Sequence, residues 1–160
     1  MRIFLSLGTH PQQFNRLLES VDKLIENGKL KGYVFAQTGN STYTPRHFSG
    51  KKFISPLEFE KEVKKADVIL SHGGAGTIIN ALKQKKPLVI VPRRVAFGEH
   101  TDNHQLDLAK AMHERKKAIA VFEMKNLASA LTKAKKFSAS KESEREKLIS
   151  RLSEFIEGVN

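Results

Sequence analysis

The chain has 160 residues, with 28 Lys and Arg against 17 Asp and Glu, a formal charge of +11 and no cysteine. That length predicts one domain able to bury a core without staples. The missing thiols exclude disulfides and thiolate metal sites and permit a reducing compartment. No apolar run reaches membrane-spanning length, and the opening apolar stretch is too short for a signal peptide, so the sequence predicts a soluble protein. The positive balance favours an acidic partner such as a nucleotide, a nucleic acid or anionic lipid, although scattered lysines describe a solvated surface equally well.

In chain order, Arg2-Ile-Phe-Leu-Ser-Leu7 is a near-continuous apolar run, the pattern of a strand buried on both faces of a parallel sheet. Gly8, Thr9, His10 and Pro11 break it. Pro11 suits a first helical turn, and Phe14, Leu17, Leu18, Val21, Leu24 and Ile25 recur at helical spacing until Gly28. Tyr33 to Ala36 predicts a second strand, 38–50 a polar loop, and Lys52 to Ile54 a short third strand. Ser55-Pro56-Leu57-Glu58 opens a helix, with Ser55 as cap, Pro56 in the first turn and Glu58 completing a capping box.

Val68 to Leu70 is of strand type, Ser71 to Gly76 is a glycine-rich turn, and Thr77 onward is helical through Ala81 and Leu82. Leu88 to Val91 is a buried strand closed by Pro92. After a loop from Arg93 to Thr101, Asp102 and Gln105 make a second capping-box start for a helix whose apolar face is Leu106, Leu108, Ala109 and Met112. Ala118 to Phe122 is a sixth strand and Leu127 to Ala134 a helix. From about 140 to 157, Leu148, Ile149, Leu152, Phe155 and Ile156 fall on one face of an amphipathic helix that packs on its own domain or docks on a partner.

This alternation predicts an α/β fold: a doubly wound, mostly parallel sheet of about six strands with helices on both faces, spanning 1–160 as one domain. Ligands of such sheets bind outside the carboxyl ends of the strands. The loops 8–11, 71–77 and 92–105 each follow a strand and are expected to share that edge.

The 71–77 turn carries the clearest chemistry. Gly73, Gly74 and Gly76 leave amides uncovered, and the following helix adds unpaired donors and the positive end of its dipole, which together suit a phosphate. His72 and Thr77 offer polar hydrogens to the same turn. The alternatives are a tight connection that binds nothing and a His72 ring tied to a neighbouring carbonyl. A dinucleotide fingerprint fails, because the first loop is Gly-Thr-His-Pro and the second strand ends at Ala36-Gln37 without an acid. Metal binding through Glu99, His100 and His104 is disfavoured by the helix cap expected at Asp102, which divides the two histidines. Arg93 and Arg94 follow a strand end and either neutralise a diphosphate or are solvated.

Leu5-Ser-Leu-Gly-Thr-His-Pro-Gln-Gln-Phe-Asn-Arg-Leu17, Ser71-His-Gly-Gly-Ala-Gly-Thr-Ile78 and Glu99-His-Thr-Asp-Asn-His-Gln105 together resemble family-28-type glycosyltransferases. They are most similar to the small donor-binding subunits of split transferases in bacterial exopolysaccharide and eukaryotic lipid-linked oligosaccharide synthesis. The resemblance covers nearly the whole chain and implies the Rossmann-like C-terminal half of a GT-B enzyme. It implies that Gly8, Thr9, His72, Gly73, Gly74, Ala75, Gly76 and Thr77 hold the diphosphate of a UDP-sugar. Asn80, where a ribose-binding carboxylate is common, and Asp102, Asn103, His104 and Gln105 would address the ribose or the sugar. It further implies an inverting hexosyl transfer with no cofactor or metal. The general base would come from a membrane-associated acceptor-binding subunit that presents a lipid-linked saccharide at the cytoplasmic face, with His10 as the other possible catalytic group. A non-catalytic nucleotide-sugar-binding or regulatory module is the alternative, and nucleic-acid binding driven by charge is the less favoured one.

Overall fold

Consecutive side chains of a strand point to opposite sides, so an apolar run is buried only if both faces are covered. A computed structural model, which describes residues 1–137, 147 and 149–154, shows that arrangement. The strands β1 (Arg2–Ser6), β2 (Tyr33–Gln37), β3 (Ser49–Lys51), β4 (Val68–Ser71), β5 (Leu88–Ile90) and β6 (Ile119–Ala120) form one sheet in the order β3-β2-β1-β4-β5-β6. Every pairing is parallel. On one face Ile3, Leu5, Val68, Leu70 and Val89 meet α1 (Asn15–Glu26) and α5 (Leu127–Ala134). On the other, Phe4, Ile69, Leu88 and Ile90 meet α2 (Pro56–Lys65), α3 (Ala75–Lys83) and α4 (His104–Glu114). The sheet is therefore doubly wound with helices on both faces, as the alternation predicts.

The chain returns from β2 to β3 without a helix, which leaves a long loop to be held in place. Asp22 of α1, 2% exposed, does this: its carboxylate accepts from the Tyr43 hydroxyl (2.7 Å), the Arg46 amide (2.9 Å) and the His47 amide (2.8 Å).

Four expectations about element ends are corrected. Residues 9–13 are not helical and α1 starts at Asn15. The carbonyls of Gln12 and Gln13, which a longer helix would use, accept instead from the Arg93 guanidinium. The third strand is Ser49–Lys51, not Lys52 to Ile54, because pairing with β2 needs Gly50: a Cβ there would lie 2.6 Å from the Ala36 carbonyl oxygen. All three of its residues are exposed, so burial leaves no pattern to read.

The capping box of α2 is half formed. Ser55 Oγ accepts from the Glu58 amide at 3.2 Å, while the Glu58 carboxylate pairs with Lys51 Nζ at 2.6 Å. The Asp102–Gln105 box does not form, since α4 begins at His104: Asp102 accepts from the His104 amide at 2.9 Å and Gln105 Oε1 from the Arg93 amide at 3.2 Å. In the C-terminal segment Ile149 and Leu152 pack on the α2–α4 face. Leu148, Phe155 and Ile156 lie outside the described residues.

Candidate functional site

The strand order reverses direction between β1 and β4, and it is there that a doubly wound sheet splays its loops apart. An open cleft of about 700 Å³ lies at this point, bordered by Gly8, Thr9 and His10 after β1, by His72, Gly74, Gly76 and Thr77 after β4, and by Asn80 and Gln105. Its size lies within the range of small-molecule sites, roughly 300–1,000 Å³. The glycine turn is thus open to solvent: Gly76 is exposed and Gly74 half-buried.

Helix α3 starts at Ala75 with Gly74 as its cap, and no side chain accepts from its first amides. Those N–H groups, with the dipole behind them, are the anion-attracting feature of the cleft. The glycines around them serve different ends. A Cβ on Gly74 would lie 2.3 Å from Nε2 of His72, and one on Gly8 2.7 Å from Cε1 of the same ring, so these two residues are small because the imidazole fills the space between them. Gly73 adopts φ +91, which other residues rarely reach. Gly76 has open space about it and is free to face a ligand.

His72 is 7% exposed, and its Nδ1 donates to the Ser6 carbonyl at 3.1 Å. Burial pulls its pKa down to about 4, although that hydrogen bond works the other way, and Arg93, His10 and His100 add to the lowering. The ring is therefore neutral at pH 7, with the proton on Nδ1 and a lone pair on Nε2. The sequence left two roles open for His72, a phosphate contact or a carbonyl tie, and Nδ1 makes the carbonyl tie. Thr77, also buried, places its hydroxyl 3.2 Å from that of Ser6.

Arg93 is neither solvated nor aimed at the cleft, which corrects both readings of it. It is 0% exposed and donates to the carbonyls of Leu7 (2.8 Å), Gln12 (2.8 Å), Gln13 (3.1 Å) and Glu99 (3.1 Å). Burial lowers its pKa to about 10, with Glu99 opposing, so it stays cationic. Glu99, 1% exposed, takes Arg16 in a two-pronged pair at 2.8 and 2.9 Å and also accepts from the Arg94 amide. This network ties the loop after β1 to the loop after β5. Arg94 is spent on the Phe122 carbonyl at 2.7 Å.

The same tie brings His100 onto His10, with ring centroids 4.2 Å apart and planes at 23°. Asp102 lies beside His100 (3.4 Å) and His104 (3.1 Å), outside the cleft lining, and Asn103 turns its Oδ1 to the Val95 amide. Of the run 102–105, only Gln105 borders the cleft. Asn80 Nδ2 donates to the Gly76 carbonyl within its own helix at 3.0 Å.

Sequence reasoning passed over Ser6, Gln37, Ile54, Pro56, Phe59 and Glu60, which also border the cleft. The signal was available. Gln37 ends β2, and Ile54 follows β3, so the rule that collected three loops at the carboxyl edge applied to these two as well.

Two solved structures share this architecture over nearly the whole chain. The glycotransferase of kitacinnamycin covers 94% of it with 37% of its own length, at a TM-score of 0.64 and 19% identity. MurG of Acinetobacter baumannii covers 96% with 49%, at 0.57 and 16%. Such identities speak for the fold alone, a doubly wound Rossmann-like sheet that makes up 37% and 49% of those two chains. The model of the glycosyltransferase family 28 C-terminal domain matches residues 2–159, and the chain belongs to that family. A similar sequence is the UDP-N-acetylglucosamine transferase subunit ALG13 of Homo sapiens, 31% identical over 121 residues, 70% of this chain and 10% of that one. Its namesake from Yarrowia lipolytica is 29% identical over 104 residues, 61% of this chain and 50% of that one. The chain thus spans between a tenth and a half of the length of these relatives.

Proposed function

We propose that the chain is the donor half of a hexosyltransferase, holding the diphosphate of a UDP-sugar in the cleft at the β1–β4 reversal, with UDP-N-acetylglucosamine as the first donor to test. The carrying observation is the turn 72–77: unpaired amides at the start of α3, opening on a cleft of nucleotide size opposite Gly8 and Thr9. In this reading Gly74, Ala75, Gly76 and Thr77 supply amides or a hydroxyl to the phosphates. Asn80 and Gln105 address the ribose or the sugar. Asp102, Asn103 and His104 shape the entry to α4, whose first turn carries Gln105.

The chemistry follows from what the cleft stabilises. An acceptor hydroxyl attacks the anomeric carbon, its proton passing to a base on another subunit, and the bond to the phosphate oxygen breaks with its electron pair left on UDP. Fixed amides and the α3 dipole meet that charge without reorganising, and no metal is needed for it. Attack opposite the leaving group inverts the anomeric centre. The acceptor half is assigned to a membrane-associated partner that presents a lipid-linked saccharide at the cytoplasmic face, a reading supported by similarity to proteins named as transferase subunits.

Calorimetric titration with UDP-N-acetylglucosamine, in buffer with EDTA, is expected to show one site, and random oligonucleotides are expected not to compete at 0.15 M salt. Sugar transfer is expected only after co-expression with an acceptor subunit. Tight oligonucleotide binding without nucleotide binding would defeat the proposal. Nucleotide binding with no transfer in any co-expressed pair would favour a regulatory module, a reading to which Asn80, an amide at the ribose position bonded to its own helix, lends support.

A further inference from the structure

The donor-binding reading leaves the stacked His10–His100 pair without a task. We propose that this pair is the proton-accepting element of the donor site: His10 takes up one proton as the diphosphate of a nucleotide sugar enters, and His100 is the positioning residue behind it.

His10 borders the cleft beside the glycine turn, and His100 backs its ring at 4.2 Å. The backbone fixes both tautomers. The Gln12 amide donates to Nδ1 of His10 at 3.3 Å, and the Asp102 amide to Nδ1 of His100 at 3.2 Å. Each neutral ring therefore carries its hydrogen on Nε2 and accepts a further proton only by giving up a backbone hydrogen bond. The Asn40 amide donates to the His10 carbonyl at 3.0 Å and holds the residue in place.

The groups that act on His10 are His100 and Arg93, which oppose a charge there, and Asp102 and the Gln12 side chain, which favour one, while His72 lies close enough for a charge on His10 to act on it. Burial first, then His100 and Arg93, keep its pKa below the ordinary histidine value. An entering diphosphate reverses that balance, since two negative charges outweigh the neighbouring cations. His72 is the less suitable acceptor: its ring is clamped between Gly8 and Gly74, and it is buried more deeply. Two charged rings in contact repel, so the stacked geometry favours a single added proton, on the ring that borders the cleft. When the bond to the anomeric carbon breaks, the phosphate oxygen gains charge, and the proton already on His10 offsets it.

UDP-N-acetylglucosamine is the probe, because its pyrophosphate is esterified at both ends and lacks the second phosphate ionisation near about pH 6. Calorimetry from pH 6 to 8.5, in buffers of different ionisation enthalpy, is expected to show uptake of about one proton and an affinity that falls about tenfold per pH unit at the upper end. His10→Asn is expected to abolish the uptake and flatten the profile. His100→Phe keeps a stacked ring without a charge and should move the midpoint of the profile to higher pH, an effect that a packing role alone would not produce. His113→Gln, on the outer part of α4, should leave both unchanged. Ring resonances of His10 in the unaltered protein should move to protonated values on addition of the ligand, a readout independent of any variant's folding. Binding without proton uptake, or uptake that survives His10→Asn, overturns the inference and leaves the donor site standing. No binding at any pH overturns both.

Discussion

At the scale of single residues, the glycines of the 71–77 turn look alike in sequence and do different work. Gly74 has φ −66, which any residue adopts, so only the His72 ring forbids a side chain there. The ring cannot yield, because Ser6 holds Nδ1 and Gly8 closes the other side. Gly74→Ala is expected to cost about 1–3 kcal/mol by overpacking. In a His72→Ala background the same change should cost much less, and urea midpoints of the four proteins in the cycle measure the coupling. Gly76→Ala, with open space around it, should be neutral to slightly stabilising. The sequence showed that bare amides gather here. It did not show which glycine makes room for an imidazole, because that depends on Ser6 and Gly8, which reach the turn only through strand pairing.

At the scale of elements, five of the six strands were legible from apolar runs and most helices from their period, whereas the exposed edge strand β3 and the element ends were not. Residues 9–13 and the start of α4 are set by Arg93, which claims the carbonyls of Gln12 and Gln13 and the Gln105 side chain. Nothing local in Pro92-Arg93-Arg94 marks one arginine as buried. The join between α1 and the loop after β5 rests on Glu99, whose loss leaves the buried Arg93 and the half-buried Arg16 without a counter-charge. Glu99→Ala is expected to destabilise the fold by about 3 kcal/mol, in the range for breaking a buried pair by removing one partner. Glu99→Gln should cost less, as it keeps the shape and some hydrogen bonds. Chemical denaturation gives both numbers, and faster amide exchange at residues 12–16 would place the damage at this join.

At the scale of the whole molecule, a parallel sheet covered on both faces accounts for the near-continuous apolar strands and for the convergence of loops on one edge. It also makes global stability depend on the protonation of His72. The unfolded chain protonates this residue below about pH 6.5, the folded protein only below about 4, so the unfolded state holds the extra proton between them. Stability is therefore full above about pH 6.5 and is lost as pH falls toward 4, by an amount on the order of 3 kcal/mol at about 1.4 kcal/mol per pKa unit. Unfolding free energies measured in urea at pH 7 and pH 4.5 check this, and His72→Asn should flatten the difference. Below about pH 4 further loss passes to Asp22 and Glu62: burial opposes their ionisation, yet hydrogen bonds from Arg46, Tyr43 and His47, and from Arg2 and Lys65, hold both below the usual carboxylate range.

What the sequence determined alone is what short-range physics encodes: side-chain alternation in strands, the helical period of apolar residues, and a glycine turn between a strand and a helix. The family motifs lie along the same stretches. What only tertiary structure decided is which distant residues meet. The edge strand at Ser49–Lys51, the burial of Arg93 and Glu99, the neutral His72 and the stacking of His10 on His100 all join residues far apart in the chain. Such contacts are set by the strand order, and a local pattern carries no information about an ion pair or a ring stack whose partner arrives from another crossover.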